Sequence, residues 1–505
     1  MSTLVGAPVS GEKTARRVGR SSLCGPDRTA LWAPVILALG LGLWAIARPS
    51  AWTDEIVTMD VAQRSWPQLV RLLGRVDAVH GLHYALMHLV GQALGVSEFT
   101  MRLPSAVAVA VAAGGLSWLG RLLGGPRLGL YAGLLLAAAP TASRYAQEAR
   151  SFAFVMAVAV LATGALVKVL SGSRRWPAGY AVLIALLGWL NVLALLLVAA
   201  HAVTVALWRP GRRETVRLLS AQAAGVAAVV PLLALGFSQR SAVGEAAPVT
   251  GSTPFNYLTW LLTPGQDTLP AALKLLLALT ALAAVALLVA RRHRARHLAL
   301  CVAVGAPWLV VPPLLLLAVS LGHPLFSYRY LLFCLPALAL LLAAAATLVP
   351  RPRRLLIALV LAVPLSLSHL AVRHQDSRPW DSGAVVTTLR GRAAPGDGVL
   401  FSGGRCELIA SAHPGVFARL PDLGAAATAA EAGSLDDLAA DPALLQRRLT
   451  GAPRVWQFNC LHVSSGSREE AELTVASQEQ ALTRAGLSRA YRLGARGLEI
   501  TLYRR

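Results

Sequence analysis

The sequence predicts a polytopic α-helical membrane protein with a small extracytoplasmic α/β domain at its C-terminus, on three observations. Apolar runs approaching 20 residues recur along the first 372 positions, enough to cross a hydrocarbon core as helix. Charged residues make up only 14% of the chain, well under the roughly one quarter of a soluble domain. From about residue 373 the composition turns soluble, with 16 basic and 14 acidic residues among 133.

In chain order, residues 1–29 form a basic tail, with Lys13, Arg16, Arg17, Arg20 and Arg28, expected in the cytoplasm. The apolar stretch 30–47 follows. It exceeds the roughly 7–15-residue core of a signal peptide and reads as an uncleaved first span. Further spans are expected at 102–122, 127–141, 151–170, 178–190, 192–208, 216–237, 270–290, 297–321, 326–348 and 354–372, about 11 in all. The fifth and sixth are short and could form one broken segment. With the N-terminus inside, the inner segments hold 21 Lys/Arg and the outer segments before residue 373 hold 10. This asymmetry sets the orientation and places residues 373–505 outside a plasma membrane that the chain crosses repeatedly. The net charge of +22 lies in short clusters between apolar runs. No basic face is interleaved with aromatics, which argues against nucleic acid as a partner.

The acids carry more information. Of 11 Asp/Glu up to residue 372, Glu12, Asp27 and Glu214 are inner. Asp54, Glu55, Asp60, Asp77, Glu98, Glu148, Glu245 and Asp267 are outer, and none lies in mid-span. An ion-coupled transporter keeps ionisable groups near the midplane. Chemistry is therefore expected at the outer surface.

The outer loop 48–101 is too long for a simple connection. It contains amphipathic stretches, 61–73 and 80–94, that read as interfacial helices with the apolar face down. In the second outer loop, 238–269, Tyr257 and Trp260 suit the headgroup level. In the soluble region, 382–392 and 469–485 read as helices, and 398–402, 454–458 and 498–503 as strands. Cys406 and Cys460 both fall there, where an oxidising compartment permits a disulfide; the alternative is two buried thiols. No cysteine or histidine spacing indicates a structural zinc site.

Several outer residues have the chemistry of a site. Asp54-Glu55, at the rim of the first span, could hold a general base, or simply start a helix after Thr53. Asp77, His80, His83, Tyr84 and His88 cluster in the second interfacial stretch and could bind sugar hydroxyls, phosphate or metal, or anchor the interface. Arg102 is expected to snorkel to the phosphate layer or bind substrate. Arg144, Gln147, Glu148 and Arg150 gather at the start of the fourth span, where the arginines could hold a lipid phosphate. The alternative there is a polar cap with a local ion pair. Arg329, between Tyr328 and Tyr330, suits a phosphate in a lipid groove, or an ordinary aromatic belt.

Together these marks resemble the membrane glycosyltransferases of the GT-C class. The likeness is to the family 39-like group that includes dolichyl-phosphate-mannose protein mannosyltransferases and lipid A aminoarabinose transferases. It runs from about residue 30 to 372. It rests on Asp54-Glu55, the stretch from Asp77 to Tyr84, Arg102-Leu103-Pro104-Ser105, Gln147-Glu148-Ala149-Arg150 and Tyr328-Arg329-Tyr330. Relatives commonly open the second interfacial helix with a Pro-Pro-Leu-Tyr-Tyr-like stretch, which here is His80-Gly81-Leu82-His83-Tyr84. The resemblance implies a GT-C-like domain over 30–372 and inverting transfer of a sugar, with mannose expected, from a polyprenyl-phosphate donor to a protein, lipid or polysaccharide acceptor. Asp54 would be the general base with Glu55 assisting. Arg150, Arg329 and Tyr328 would bind the donor phosphate. Asp77, His80, His83, Tyr84, Gln147 and Glu148 would line the substrate site. No cofactor is implied; a divalent metal is possible but not indicated. Two other classes stay open, a lipid or polysaccharide flippase and a non-catalytic assembly protein.

Overall fold

The computed structural model describes residues 26–240, 248–265, 269–402, 405–460 and 468–505. Most of the basic tail, with Cys24, and the outer acids Glu245 and Asp267 lie outside them. Among the described residues, seven helical stretches are long and apolar enough to cross a membrane, the first Glu98–Gly124 and the last Arg351–Ala371. The other four predicted spans are shorter apolar helices, Leu31–Leu43, Pro126–Ala137, Trp176–Leu190 and Val192–Trp208. The fifth and sixth predicted spans are separate. Asn191 turns extended between them (ψ 116°), and its side chain accepts a hydrogen bond from Leu193 N at 2.9 Å.

Helix α1 (Pro26–Leu43) leads to an excursion of three helices, α2 (Thr53–Gln63), α3 (Trp66–Arg75) and α4 (Gly81–Leu94). The chain then returns through α5 (Glu98–Gly124), α6 (Pro126–Ala137), the short α7 (Pro140–Ala146) and α8 (Phe152–Leu170). Close backbone approach holds α5 to α6: a Cβ on Gly120 would lie 2.8 Å from the Gly129 Cα. Small residues at such crossings allow the dispersion contacts that bind helices to one another in lipid.

This excursion departs from the predicted interfacial helices. Residues 61–73 are divided between α2 and α3, and α2 is largely buried, including Glu55, Thr58 and Asp60. The cause is the C-terminal domain, which sits on it. Gln63 Nε2 donates to Ser411 O at 2.8 Å, Arg64 Nη1 to Ser434 O at 2.8 Å and Arg75 Nη1 to Ala432 O at 2.7 Å. Helix α4 turns His83, Tyr84, Met87 and His88 inward.

The C-terminal domain contains β1 (Gly398–Ser402), β2 (Ala425–Ala427), β3 (Leu438–Ala439), β4 (Arg454–Cys460), β5 (Ser488–Ala495) and β6 (Leu498–Arg504). Its main sheet has the order β1-β4-β6-β5, with β1 parallel to β4 and the other pairs antiparallel. Strand β5 was not legible in the sequence because Ser488–Ala495 carries two arginines and a glycine on an exposed edge. Cys406 and Cys460 form a disulfide with Cα atoms 5.7 Å apart.

Candidate active site

The chemistry of the outer residues is decided by helix geometry. Asp54 and Glu55 stand in the first turn of α2, where the partial positive charge of a helix N-terminus favours carboxylates. Neighbours on a helix point roughly 100° apart, so the two acids cannot act as a pair. Asp54 faces a cavity of about 910 Å³. Glu55 turns away, toward α5.

Glu55 is 1% exposed and saturated. Arg102 binds it through Nε at 2.7 Å and Nη2 at 2.8 Å, and Ala149 N donates to Oε1 at 3.0 Å. Arg102 Nη1 also donates to Ile46 O and Pro49 O, each at 2.8 Å. This corrects two expectations. Arg102 neither snorkels nor binds substrate, because it is fully buried. Glu55 does not reach the cavity; the pair ties α2, α5 and the end of the first span into one frame. Truncating one partner of such a pair leaves a buried charge uncompensated, which costs about 3–5 kcal/mol. Glu55→Ala is therefore expected to lower the melting temperature sharply. Glu55→Leu with Arg102→Leu together should restore most of that loss, as measured by thermal unfolding in detergent.

Asp54 is held between two guanidinium groups. Arg329 Nη1 lies 2.5 Å from Asp54 Oδ2, and Arg150 Nε lies 3.9 Å from the same oxygen. Burial pushes the Asp54 carboxyl up, but Arg329 and then Arg150 outweigh it, and the net is below the usual carboxylate range. Arg329 is surrounded by the rings of Trp52, Tyr330 and Phe152 at 5.6, 5.7 and 5.9 Å, a cation–π setting that holds the head group without neutralising it. Among the described residues, the buried Nε atoms of Arg150 and Arg329 make no hydrogen bond within the protein.

Arg150 is oriented from behind. Asp77 adopts a left-handed conformation (φ 62°), which aspartate tolerates better than most residues. There it accepts from His80 Nδ1 and from Tyr84 Oη, each at 2.5 Å. Arg150 Nη2 meets His80 Nε2 at 3.1 Å. An arginine can only donate, so Nε2 accepts and the His80 proton sits on Nδ1, facing Asp77. Burial raises the Asp77 carboxyl, but the hydrogen bonds from His80 and Tyr84 and the charge of Arg150 bring it below the usual range.

His83, Gln147 and Glu148 fall outside the cavity lining. His83 is buried; burial first and Arg150 second hold its imidazole down to about 3. Gln147 donates to Gly42 O at 3.0 Å and Trp44 O at 2.7 Å, bracing the end of α1. Glu148 is buried against Arg144 at 2.8 Å, and burial pushes its carboxyl up. Arg144 is thus the local partner of Glu148. Tyr328 does line the cavity, with Tyr257 and Trp260 turned inward onto it at 6.3 and 5.9 Å between ring centroids.

Sequence reasoning missed Arg405, Arg240 and Asn191, which also line the cavity, and the fully buried Arg378, which donates to Gln147 O at 3.0 Å. For Arg405 a signal existed: Gly403-Gly404-Arg405-Cys406 follows directly on a predicted strand. The lining also has apolar side chains, Val57, Val192, Leu193, Leu233, Phe237 and Phe326 among them. A divalent metal does not fit these donors. Both lining carboxylates already face cations or hydrogen-bond donors. Among the described residues, no three His, Cys, Asp or Glu side chains converge.

No family model and no curated protein matches the chain. Among solved structures, ArnT from Cupriavidus metallidurans in the apo state superposes with a TM-score of 0.57 at 12% identity, covering 95% of this chain and 98% of that one. The same protein bound to undecaprenyl phosphate gives 0.55 at 14% identity, covering 94% and 97%. The archaeal oligosaccharyltransferase AglB from Archaeoglobus fulgidus gives 0.46 at 10% identity, covering 94% and 74%. The chain thus has the fold of ArnT over nearly its full length.

Proposed function

We propose that this protein is a glycosyltransferase that takes a sugar from a polyprenyl-phosphate carrier at the outer face of the membrane. The observation that carries the reading is one carboxylate, Asp54, held between two arginines in a cavity that is also lined by valine, leucine and phenylalanine side chains. A phosphate ester on a long hydrocarbon tail has the matching chemistry: an anion for the guanidiniums and isoprene units for the valine, leucine and phenylalanine side chains. That ArnT, which shares the fold, has been crystallised with undecaprenyl phosphate supports the same ligand class.

In the proposed reaction the acceptor hydroxyl attacks the anomeric carbon and the bond from that carbon to the phosphate oxygen breaks. The acceptor proton passes to Asp54. The negative charge gathering on the departing phosphate is met by Arg150 and Arg329, aimed beforehand at the place where it develops. The donor phosphate and the Asp54 carboxylate compete for the same two arginines. Donor binding therefore draws the cations off Asp54 and leaves it a stronger base. His80 and Asp77 act as positioning residues for Arg150. Glu55, Gln147 and Glu148 are assigned to the frame and not to substrate. Mannose is the proposed sugar, on the resemblance of the motifs. The N-terminus is placed in the cytoplasm and the C-terminal domain outside.

The test is mass spectrometry of lipid co-purified with the protein, followed by transfer of labelled sugar from a polyprenyl-phosphate donor. Isoprenoid phosphate bound to the parent protein and lost from Arg329→Ala is the expected result. A protein that binds no isoprenoid phosphate, or that exposes residue 54 to the cytoplasm by accessibility labelling, overturns the reading.

A further inference from the structure

We infer that the C-terminal domain completes the anion site: Arg405 supplies a third guanidinium to the donor phosphate, and the Cys406–Cys460 disulfide holds it in place. The inference rests on the proposed donor class and adds a residue from outside the membrane domain.

The described cavity lining carries four guanidinium groups, Arg150, Arg240, Arg329 and Arg405, against the carboxylates Asp54 and Asp77. Arg240 is engaged locally, stacked on Phe237 at 4.3 Å and donating to Phe237 O at 3.2 Å. Arg405 is placed differently. It belongs to the C-terminal domain, and its charge acts on Asp54 together with those of Arg329 and Arg150. Its backbone is left-handed, with φ at 65°. A residue with a Cβ is driven into that conformation only when its surroundings require it. Here the next residue, Cys406, is fully buried and bonded to Cys460 at the end of β4, itself 1% exposed. The disulfide thus fixes the backbone immediately beside Arg405 to the central sheet.

The ion pair of Arg405 does not account for this anchoring. Its Nε lies 3.3 Å from Asp436 Oδ1, and the Asp436 side chain is 60% exposed. Exposed pairs of this kind contribute little and exchange readily. The guanidinium can therefore turn from Asp436 to a phosphate at small cost. A purely surface role would need neither the strained backbone nor the buried cross-link beside it.

The test uses the full-length protein in detergent, titrated with undecaprenyl phosphate and, separately, with the corresponding polyprenol, which has the tail but no anion. Arg405→Ala is expected to weaken undecaprenyl phosphate binding about tenfold, the equivalent of about 1.4 kcal/mol, and to leave polyprenol binding unchanged. Arg405→Lys should recover part of the loss. The double variant Cys406→Ser, Cys460→Ser should weaken phosphate binding to a similar degree, and adding Arg405→Ala to it should weaken it little further, since both changes remove one contact. If the cysteine variant fails to fold, the Ala and Lys variants decide alone. Equal binding of undecaprenyl phosphate by parent and Arg405→Ala overturns this inference and leaves the proposed function standing. Absence of binding by the parent overturns the proposed function, and this inference with it.

Discussion

Asp54→Asn is expected to reduce sugar transfer by about 10²–10⁴-fold, the usual contribution of a positioned general base, and at the same time to tighten the binding of undecaprenyl phosphate. The second half is the sharper one. In the structure Asp54 occupies the arginines that the donor phosphate is proposed to use, at 2.5 Å from Arg329 and 3.9 Å from Arg150. Asparagine keeps the shape and removes the competing charge. A structural role for Asp54 would give the opposite pattern, with both affinity and rate falling.

The pH behaviour follows with a definite sign. Although burial raises the Asp54 carboxyl, Arg329 and Arg150 bring its net value below 3.8. Its ion pair therefore stabilises the fold at all pH above the ordinary carboxylate range and is lost only as pH falls through the depressed value. In the free protein the base is already ionised at pH 5, so kcat/KM should show no acid limb from Asp54 above about pH 4. With donor bound and the arginines turned to phosphate, the limb in kcat should lie higher. A limb at the same pH in both parameters would sink the competition between carboxylate and phosphate.

The second large effect is expected at Arg329. Arg329→Ala should raise the dissociation constant for undecaprenyl phosphate by about 10–100-fold, as charge-assisted hydrogen bonds of about 1.5–3 kcal/mol disappear. Arg329→Lys should recover only part, because a lysine replaces a planar fork held among three rings with a single flexible charge. Melting temperature is the control. The Arg329 side chain is 30% exposed and the Arg102 side chain 1%. Loss of Arg329 should thus cost far less stability than loss of Arg102. If the two variants unfold alike, Arg329 belongs to the frame and not to the site.

The sequence made the membrane character, the positions of the apolar helices and the soluble character of the C-terminal region legible, because each rests on the solvent that a stretch of chain must face. An apolar run of 20 residues has few places to go but hydrocarbon, whatever its neighbours do. The same one-dimensional logic brought Asp54, Arg150 and Arg329 forward, since charge at the end of a span is rare enough to be conspicuous. Partner choice was not legible. Nothing in the dipeptide Asp54-Glu55 shows that one acid faces a cavity while the other is clamped by Arg102, 47 positions away. That division follows from the turn of α2 and the packing of α5. Nor could hydropathy show that α2 lies beneath a soluble domain, because burial under protein and burial in lipid select similar side chains. The sequence by itself determined which segments leave water and where the charges stand along the chain. Only the tertiary structure decided which charges meet, because an ion pair acts over a few ångströms in space and leaves no period in the sequence.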